Sequence, residues 1–185
     1  MRLSSLIRLL LPIIITMIGS ISFASDLYNI TVIDGDTIAF TDGDNRIRVR
    51  LYAIDAPELD QPFGEAAKEY LCSLIKTGTD NGKSVNTMKV TIDGYDRVVG
   101  MVYIGEECIN TKMVLSGYAW YYLDTKPVSN DFKMHQEYAQ IRRVGMWKSP
   151  DNITPWEWRK NKRVKELGGP DLYVPKFPLT MFGKY

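Results

Sequence analysis

At 185 residues with 45% hydrophobic content, the chain is long enough for one sizeable core, and no stretch is biased enough to act as a linker between two domains. Its 23 basic and 22 acidic residues leave a net charge of +1, which excludes a broad basic surface, so any affinity for phosphate must come from local placement of charge. Two cysteines 36 positions apart and a single histidine exclude a conventional zinc site.

In chain order, Arg2 and Arg8, the apolar run from Leu9 to Ile18 and then Ser22-Phe23-Ala24 follow the charged, apolar and small-residue order of a signal peptide, with cleavage expected after Ala24. The apolar run is shorter than the roughly 20 residues that span a bilayer, so membrane contact is expected only if this leader stays attached. Its removal leaves 21 basic against 22 acidic residues. Residues 25–150 are expected to form one domain, with 151–185 as an extension. From Tyr28 to Ile54, β-branched and polar residues alternate between Asp34-Gly35 and Asp42-Gly43-Asp44-Asn45, which predicts three antiparallel strands. Pro62 to Lys76 changes to a helical period, with Pro62 suited to a first turn. Val85 to Ile92 and Val98 to Ile104 predict two more strands, with Asp93-Gly94 at the turn between them. Asn110 to Ser116 predicts a short helix capped by Asn110, and Asp131 to Val144 a longer one closed by Gly145.

Five strands with a helix between the third and fourth predict an α+β fold of OB type, a partly open Greek-key barrel, here with about three helices. Past Trp147, Trp156-Glu157-Trp158-Arg159 predicts a further short helix anchoring the tail, followed by a surface strap from Gly168 to Tyr185. Cys72 and Cys108 are chemically able to pair after export, but sequence leaves open whether they meet.

Three clusters carry candidate chemistry. Asp34-Gly35-Asp36-Thr37 puts two carboxylates beside a glycine, although Asp-Gly turns commonly have backbone reasons alone. Arg48, Arg50, Asp55 and Glu58 lie within eleven residues, and strand alternation sets both arginines on one face, towards a cleft or towards water. The apolar residues Leu51 to Ile54 place Asp55 at the end of a buried strand, where a carboxylate needs a partner or a metal. Asp93-Gly94-Tyr95-Asp96-Arg97 delivers another arginine to the start of a strand, or is simply a polar turn. The lone His135 has no second histidine beside it to build a histidine-metal site and is expected to be a surface or packing residue.

Taken in order and spacing, Asp34-Gly35-Asp36-Thr37, Arg50-Leu51-Tyr52-Ala53-Ile54-Asp55-Ala56-Pro57-Glu58 and Tyr95-Asp96-Arg97-Val98-Val99-Gly100 resemble the signature of the staphylococcal nuclease-like family. The resemblance runs from about Tyr28 to Trp147 and includes Gly64-Glu65-Ala66, Gly117-Tyr118-Ala119-Trp120, Lys126-Pro127 and Gly145-Met146-Trp147. It implies a nuclease that cuts DNA and RNA and leaves 3′-phosphate ends. It also implies Ca²⁺ held by Asp36, Asp55 and the carbonyl of Ala56, Arg50 and Arg97 on the phosphate, and Glu58 as general base. Leu123 and Thr125 stand where that family carries nucleotide-packing tyrosines, Gly94 where it carries a lysine, and Asp96 where glycine is usual. Tyr95, Tyr121 and Tyr122 are the candidate substrate contacts, since an aromatic face stacks on any base. The alternative is an OB module that binds nucleic acid or a partner without cutting, and a third reading is an oligosaccharide binder at the cell envelope. The joint presence of Asp36, Arg50, Asp55, Glu58 and Arg97 favours the enzyme. No feature points to an oligomer or a stable protein partner, so a monomer is expected, secreted or periplasmic.

Overall fold

The computed structural model describes residues 29–122 and 131–169. The leader at 1–24, Leu123, Thr125, Lys126-Pro127 and the strap beyond residue 169 lie outside them. Strands β1 (Thr31–Val32), β2 (Thr37–Asp42) and β3 (Asn45–Leu51) form the expected antiparallel meander. After the two-residue strand β4 (Ile54–Asp55) come helix α1 (Gly64–Asp80) and strands β5 (Val85–Ile92) and β6 (Val98–Ile104), which pair with each other antiparallel. A parallel pairing of β6 with β3 completes the sheet order β1-β2-β3-β6-β5, with the short β7 (Glu107–Cys108) on the other side of β6. This is the OB-type order, and among the described residues it stays open between β1 and β5 rather than closing into a barrel.

Helices α2 (Ile109–Leu115) and α3 (Asp131–Arg142), a 3-10 turn at Gly145–Lys148 and α4 (Pro155–Glu166) follow, with β8 (Trp120–Tyr121) pairing with β4. Four helices are therefore present among the described residues, against the three or so expected, the fourth being the tail helix. Ala67, Leu71, Ile75 and Gly78 recur every three or four residues along α1 and form its buried stripe. They pack on Ile38, Val49, Leu51, Ile54, Val102 and Ile104 of the sheet.

Two expectations change. Helix α1 begins at Gly64, not Pro62, because Phe63 adopts a left-handed backbone (φ 76°) and ends the preceding loop. Asn110 is no cap: that position belongs to Cys108, and the Asn110 side chain is fully buried. Its Oδ1 accepts from the Val102 amide at 2.9 Å, and its Nδ2 donates to the carbonyls of Tyr52 (2.9 Å) and Gly100 (3.2 Å). It thus ties α2 to the residue that follows β3, the strand of Arg50, and to the middle of β6, the strand that begins after Arg97. Cys72 and Cys108 are free thiols, the former exposed on α1.

Because Asn110→Ala strands several buried backbone groups at once, it is expected to lower unfolding free energy by about 3 kcal/mol, read by urea denaturation. A loss below about 1 kcal/mol, the net worth of one ordinary hydrogen bond, would show that water or relaxation replaces these bonds.

Candidate active site

The pairing of Thr37 with Arg50 across β2 and β3 sets Asp36 beside the end of β3, where its carbonyl accepts from the Leu51 amide at 2.8 Å. Ala53 then takes a left-handed backbone (φ 60°), which costs a non-glycine residue about 1 kcal/mol and turns the chain back on itself. That turn brings Asp55 to Arg50. Gly35 lets the Asp34–Thr37 turn lie flat on this corner, since a Cβ there would stand 2.6 Å from Cβ of Ala56 and 2.8 Å from that of Ala67.

The guanidinium of Arg50 joins both acids: Nη1 pairs with Asp36 Oδ1, and Nη2 lies 2.8 Å from Asp55 Oδ1 and 3.3 Å from the Ile54 carbonyl. Asp36 also accepts from the Ala56 amide (2.8 Å) and from Thr37 Oγ1 (3.0 Å). Only 5% of Asp36 and 1% of Asp55 are exposed, and the guanidinium fixed between them offsets the cost of that burial. Burial works against the charge of Arg50, but Asp36 and Asp55 outweigh it and raise its affinity for the proton. Asp34, whose Oδ1 accepts from the Asp36 amide at 3.0 Å, has no guanidinium on it, and burial followed by the charge of Asp36 pushes its pKa up to about 6.

Arg48 shares the face of Arg50 by alternation but is exposed, and its Nη2 donates to the Tyr95 carbonyl at 3.0 Å. It steadies the β5–β6 turn instead of entering the cleft. In that turn Asp93 Oδ1 accepts from the amides of Tyr95 (2.9 Å) and Arg97 (3.0 Å), and Oδ2 receives Arg97 Nε at 2.7 Å. Burial raises the Asp93 pKa, but these bonds prevail and hold it below the usual carboxylate range. Asp96 takes the left-handed conformation (φ 60°) at the position where a glycine was expected, which a short polar side chain tolerates.

Asp34, Asp36, Arg50, Asp55, Ala56, Glu58, Tyr95, Arg97 and Tyr122 line one cleft of about 620 Å³. Every candidate catalytic and metal residue therefore meets there. Tyr95 is 73% exposed with the Arg97 guanidinium 5.4 Å from its ring centre, a face left open for stacking. Tyr121 is corrected: it does not line the cleft, and its ring stacks on Phe132 at 6.3 Å, because alternation along β8 sends neighbouring side chains to opposite sides. His135 is half-buried on α3, away from the cleft lining.

One cleft residue was missed by sequence reasoning. Arg159 of α4 places Nη2 at 2.8 Å from Asp55 Oδ2, and Nη1 at 3.2 Å from Asp55 Oδ1 and 2.7 Å from Glu58 Oε1. The signal was the helix start Thr154-Pro155-Trp156-Glu157, in which the Glu157 amide donates to Thr154 Oγ1 (3.3 Å) and that hydroxyl donates to Glu157 Oε2 (2.7 Å). It fixes where α4 begins, and so which residues face the cleft one turn on.

Asp36 and Asp55 bring carboxylate oxygens, the donor type a hard cation such as Ca²⁺ takes, to one cleft. In this structure those oxygens are engaged by Arg50, Arg159, Thr37 and the Ala56 amide, and no cluster of three or more metal-ligating side chains occurs among the described residues.

The end of β3 in an OB-type sheet thus joins two buried carboxylates to guanidiniums in one cleft. The chain belongs to the staphylococcal nuclease homologue family, whose model matches residues 48–149. It is 36% identical over 138 residues to an uncharacterized endonuclease of Haemophilus influenzae, covering 73% of each chain. To a micrococcal nuclease of Shigella flexneri it is 33% identical over 141 residues, covering 71% of this chain and 78% of that one. With an uncharacterized 38.1 kDa protein of Capnoides sempervirens it shares 40% identity over 120 residues, 64% of this chain but a third (33%) of the plant protein.

Asp34 contributes one pH response of the protein. Its folded pKa, about 6 against an ordinary 3.8, means that the neutral acid is favoured in the fold. That contribution is in place at low pH and lost as pH rises through about 6. Asp34→Asn keeps the acceptor for the Asp36 amide without the charge. In chelator, its stability relative to the parent is expected to increase from pH 4 to pH 7 by thermal melting, whereas parallel curves would contradict the assignment.

Proposed function

We propose that this chain is an exported, Ca²⁺-dependent nuclease that hydrolyses phosphodiester bonds of DNA and RNA with low sequence specificity, leaving 3′-phosphate ends. The observation that carries this reading is the meeting of Asp36, Arg50, Asp55, Glu58 and Arg97 in one cleft. Hydrolysis crowds negative charge onto the phosphoryl oxygens, and guanidiniums already fixed in the cleft oppose it without reorganising. Guanidinium also matches phosphate through two parallel hydrogen bonds, which favours arginine over lysine at positions 50 and 97. Glu58 accepts a proton of the attacking water as its oxygen bonds to phosphorus and the P–O bond to the 5′ oxygen breaks, the leaving 5′ oxygen taking a proton from solvent water to become the free 5′-hydroxyl.

Asp36, Asp55 and the Ala56 carbonyl would hold the calcium ion, which when bound supplies further positive charge against the developing anion. Gly64 fixes the place of the base: a Cβ on it would collide with the Glu58 carbonyl, so the loop folds back tightly onto the start of α1. Within that loop, the Glu58 amide donates to Gln61 Oε1 at 3.1 Å, and the Glu58 carbonyl accepts from the Gln61 amide at 2.8 Å. Low specificity follows from a cleft whose recognition groups address phosphate and the flat face of a base, with Tyr95 and Tyr122 as the available rings. Export rests on the pattern of residues 1–24.

Glu58→Gln preserves shape and removes the base, so turnover on single-stranded DNA is expected to fall by about 10² to 10⁴. Calcium-dependent binding of a nucleotide should persist. Cleavage at the parental rate would remove Glu58 from this role.

A further inference from the structure

Helix α4 lies beyond the matched family span, which ends at residue 149, yet it carries a guanidinium into the cleft. The helix is seated by contacts that do not involve that guanidinium. Trp158 Nε1 donates to Asp60 Oδ1 at 3.1 Å, Lys162 Nζ pairs with Asp60 Oδ2 at 2.7 Å, and Gln61 Nε2 donates to the Ile153 carbonyl at 2.7 Å. The Trp156 ring packs against Trp120 and Tyr122, with centroids 5.9 Å and 5.2 Å apart. The segment from Ile153 to Lys162 therefore rests on the loop that holds Glu58, anchored on both sides of it.

Among the described residues, Arg159 is the hydrogen-bond partner of the Glu58 carboxylate, whose backbone is held by Gln61 but whose side chain is otherwise unrestrained. One nitrogen, Nη1, reaches Asp55 Oδ1 and Glu58 Oε1 together, and so sets the spacing of two acids that would otherwise repel. Contact at Oε1 leaves Glu58 Oε2 for a water molecule. The same guanidinium also occupies both oxygens of Asp55, the candidate metal ligand.

We propose that Arg159 is a positioning residue of the active site, fixing Glu58 beside Asp55, so that the working nuclease includes α4 as well as the family domain. This rests on the role of Glu58 proposed above. It also makes Arg159 a competitor for Asp55, so calcium binding and turnover respond to its loss in opposite directions.

The test compares the full mature chain with Arg159→Ala, Arg159→Lys and, as a docking control, Lys162→Ala. Steady-state kcat and KM are measured on single-stranded DNA at saturating calcium, and Ca²⁺ binding without nucleic acid is measured by calorimetry. Arg159→Ala is expected to lose about 10- to 100-fold in kcat, the usual consequence of a freed positioning contact, with KM little changed. Ca²⁺ should bind it more tightly than the parent, because Asp55 has lost a competing cation. Arg159→Lys is expected to recover part of kcat, since an ammonium keeps the charge but not the fork. Lys162→Ala, which loosens the seating of α4 on Asp60 but keeps the Arg159 guanidinium, should lose less kcat than Arg159→Ala and leave calcium binding near the parent.

Parental kcat in Arg159→Ala overturns the proposal and leaves the nuclease assignment standing. So does a loss of kcat accompanied by weaker calcium binding and a lower melting temperature, which marks a structural role. A parent that cleaves nothing overturns both.

Discussion

Arg50 is the charge on which the site depends. Two carboxylates from different parts of the chain are buried within reach of it, and its guanidinium offsets the cost of taking them out of water. Removing one partner of such a buried arrangement commonly costs about 3 to 5 kcal/mol, because the remaining charge cannot return to water. The register of β2 on β3, the left-handed turn at Ala53 and the bare Cα of Gly35 are all conditions for the bridge to form. Stability and chemistry therefore share one set of atoms: the groups that neutralise each other in the folded chain are those suited to phosphate and to a hard cation.

Around that bridge the cleft has two walls of different strength. The β3–β6 pairing sets Val99 opposite Arg50 and brings Arg97 alongside, where Asp93 orders its guanidinium through a closed set of turn hydrogen bonds. The opposite wall is the Pro57–Gln61 loop, held from behind by the close approach to Gly64 and from outside by α4. Pairs on this outer wall are partly solvated, with 44% of the Arg159 side chain exposed, and exposed pairs contribute about 0.2 to 1 kcal/mol each. Their value to the molecule lies in geometry more than in stability.

Much of this was legible in the sequence. Val85–Ile92 and Val98–Ile104 became strands with the expected boundaries, since their β-branched content and the Asp93-Gly94 turn between them are local features. Asp36, Arg50, Asp55, Glu58 and Arg97 stand in three short clusters at turns and strand ends, each of which alone left an ordinary turn or a solvated face open; the resemblance to the staphylococcal nuclease-like family is what gave them roles. Local pattern could not say that Arg48 and Arg50, on one face, have different fates, because that depends on the distant Tyr95 carbonyl. Nor could it place Asn110, whose partners lie just after β3 and on β6, or send Tyr121 to Phe132. Arg159 was hidden most completely, meeting Asp55 across 104 positions through a helix docked on Asp60. A sequence window contains neither the docking nor the acid.

The central claim is tested most directly by incubating the purified mature chain with single-stranded DNA, duplex DNA and RNA, in calcium and in parallel with EGTA. The account predicts that all three are reduced to short oligonucleotides in calcium and stay intact in the chelator. Intact nucleic acid in calcium, or equal digestion in EGTA, would contradict it.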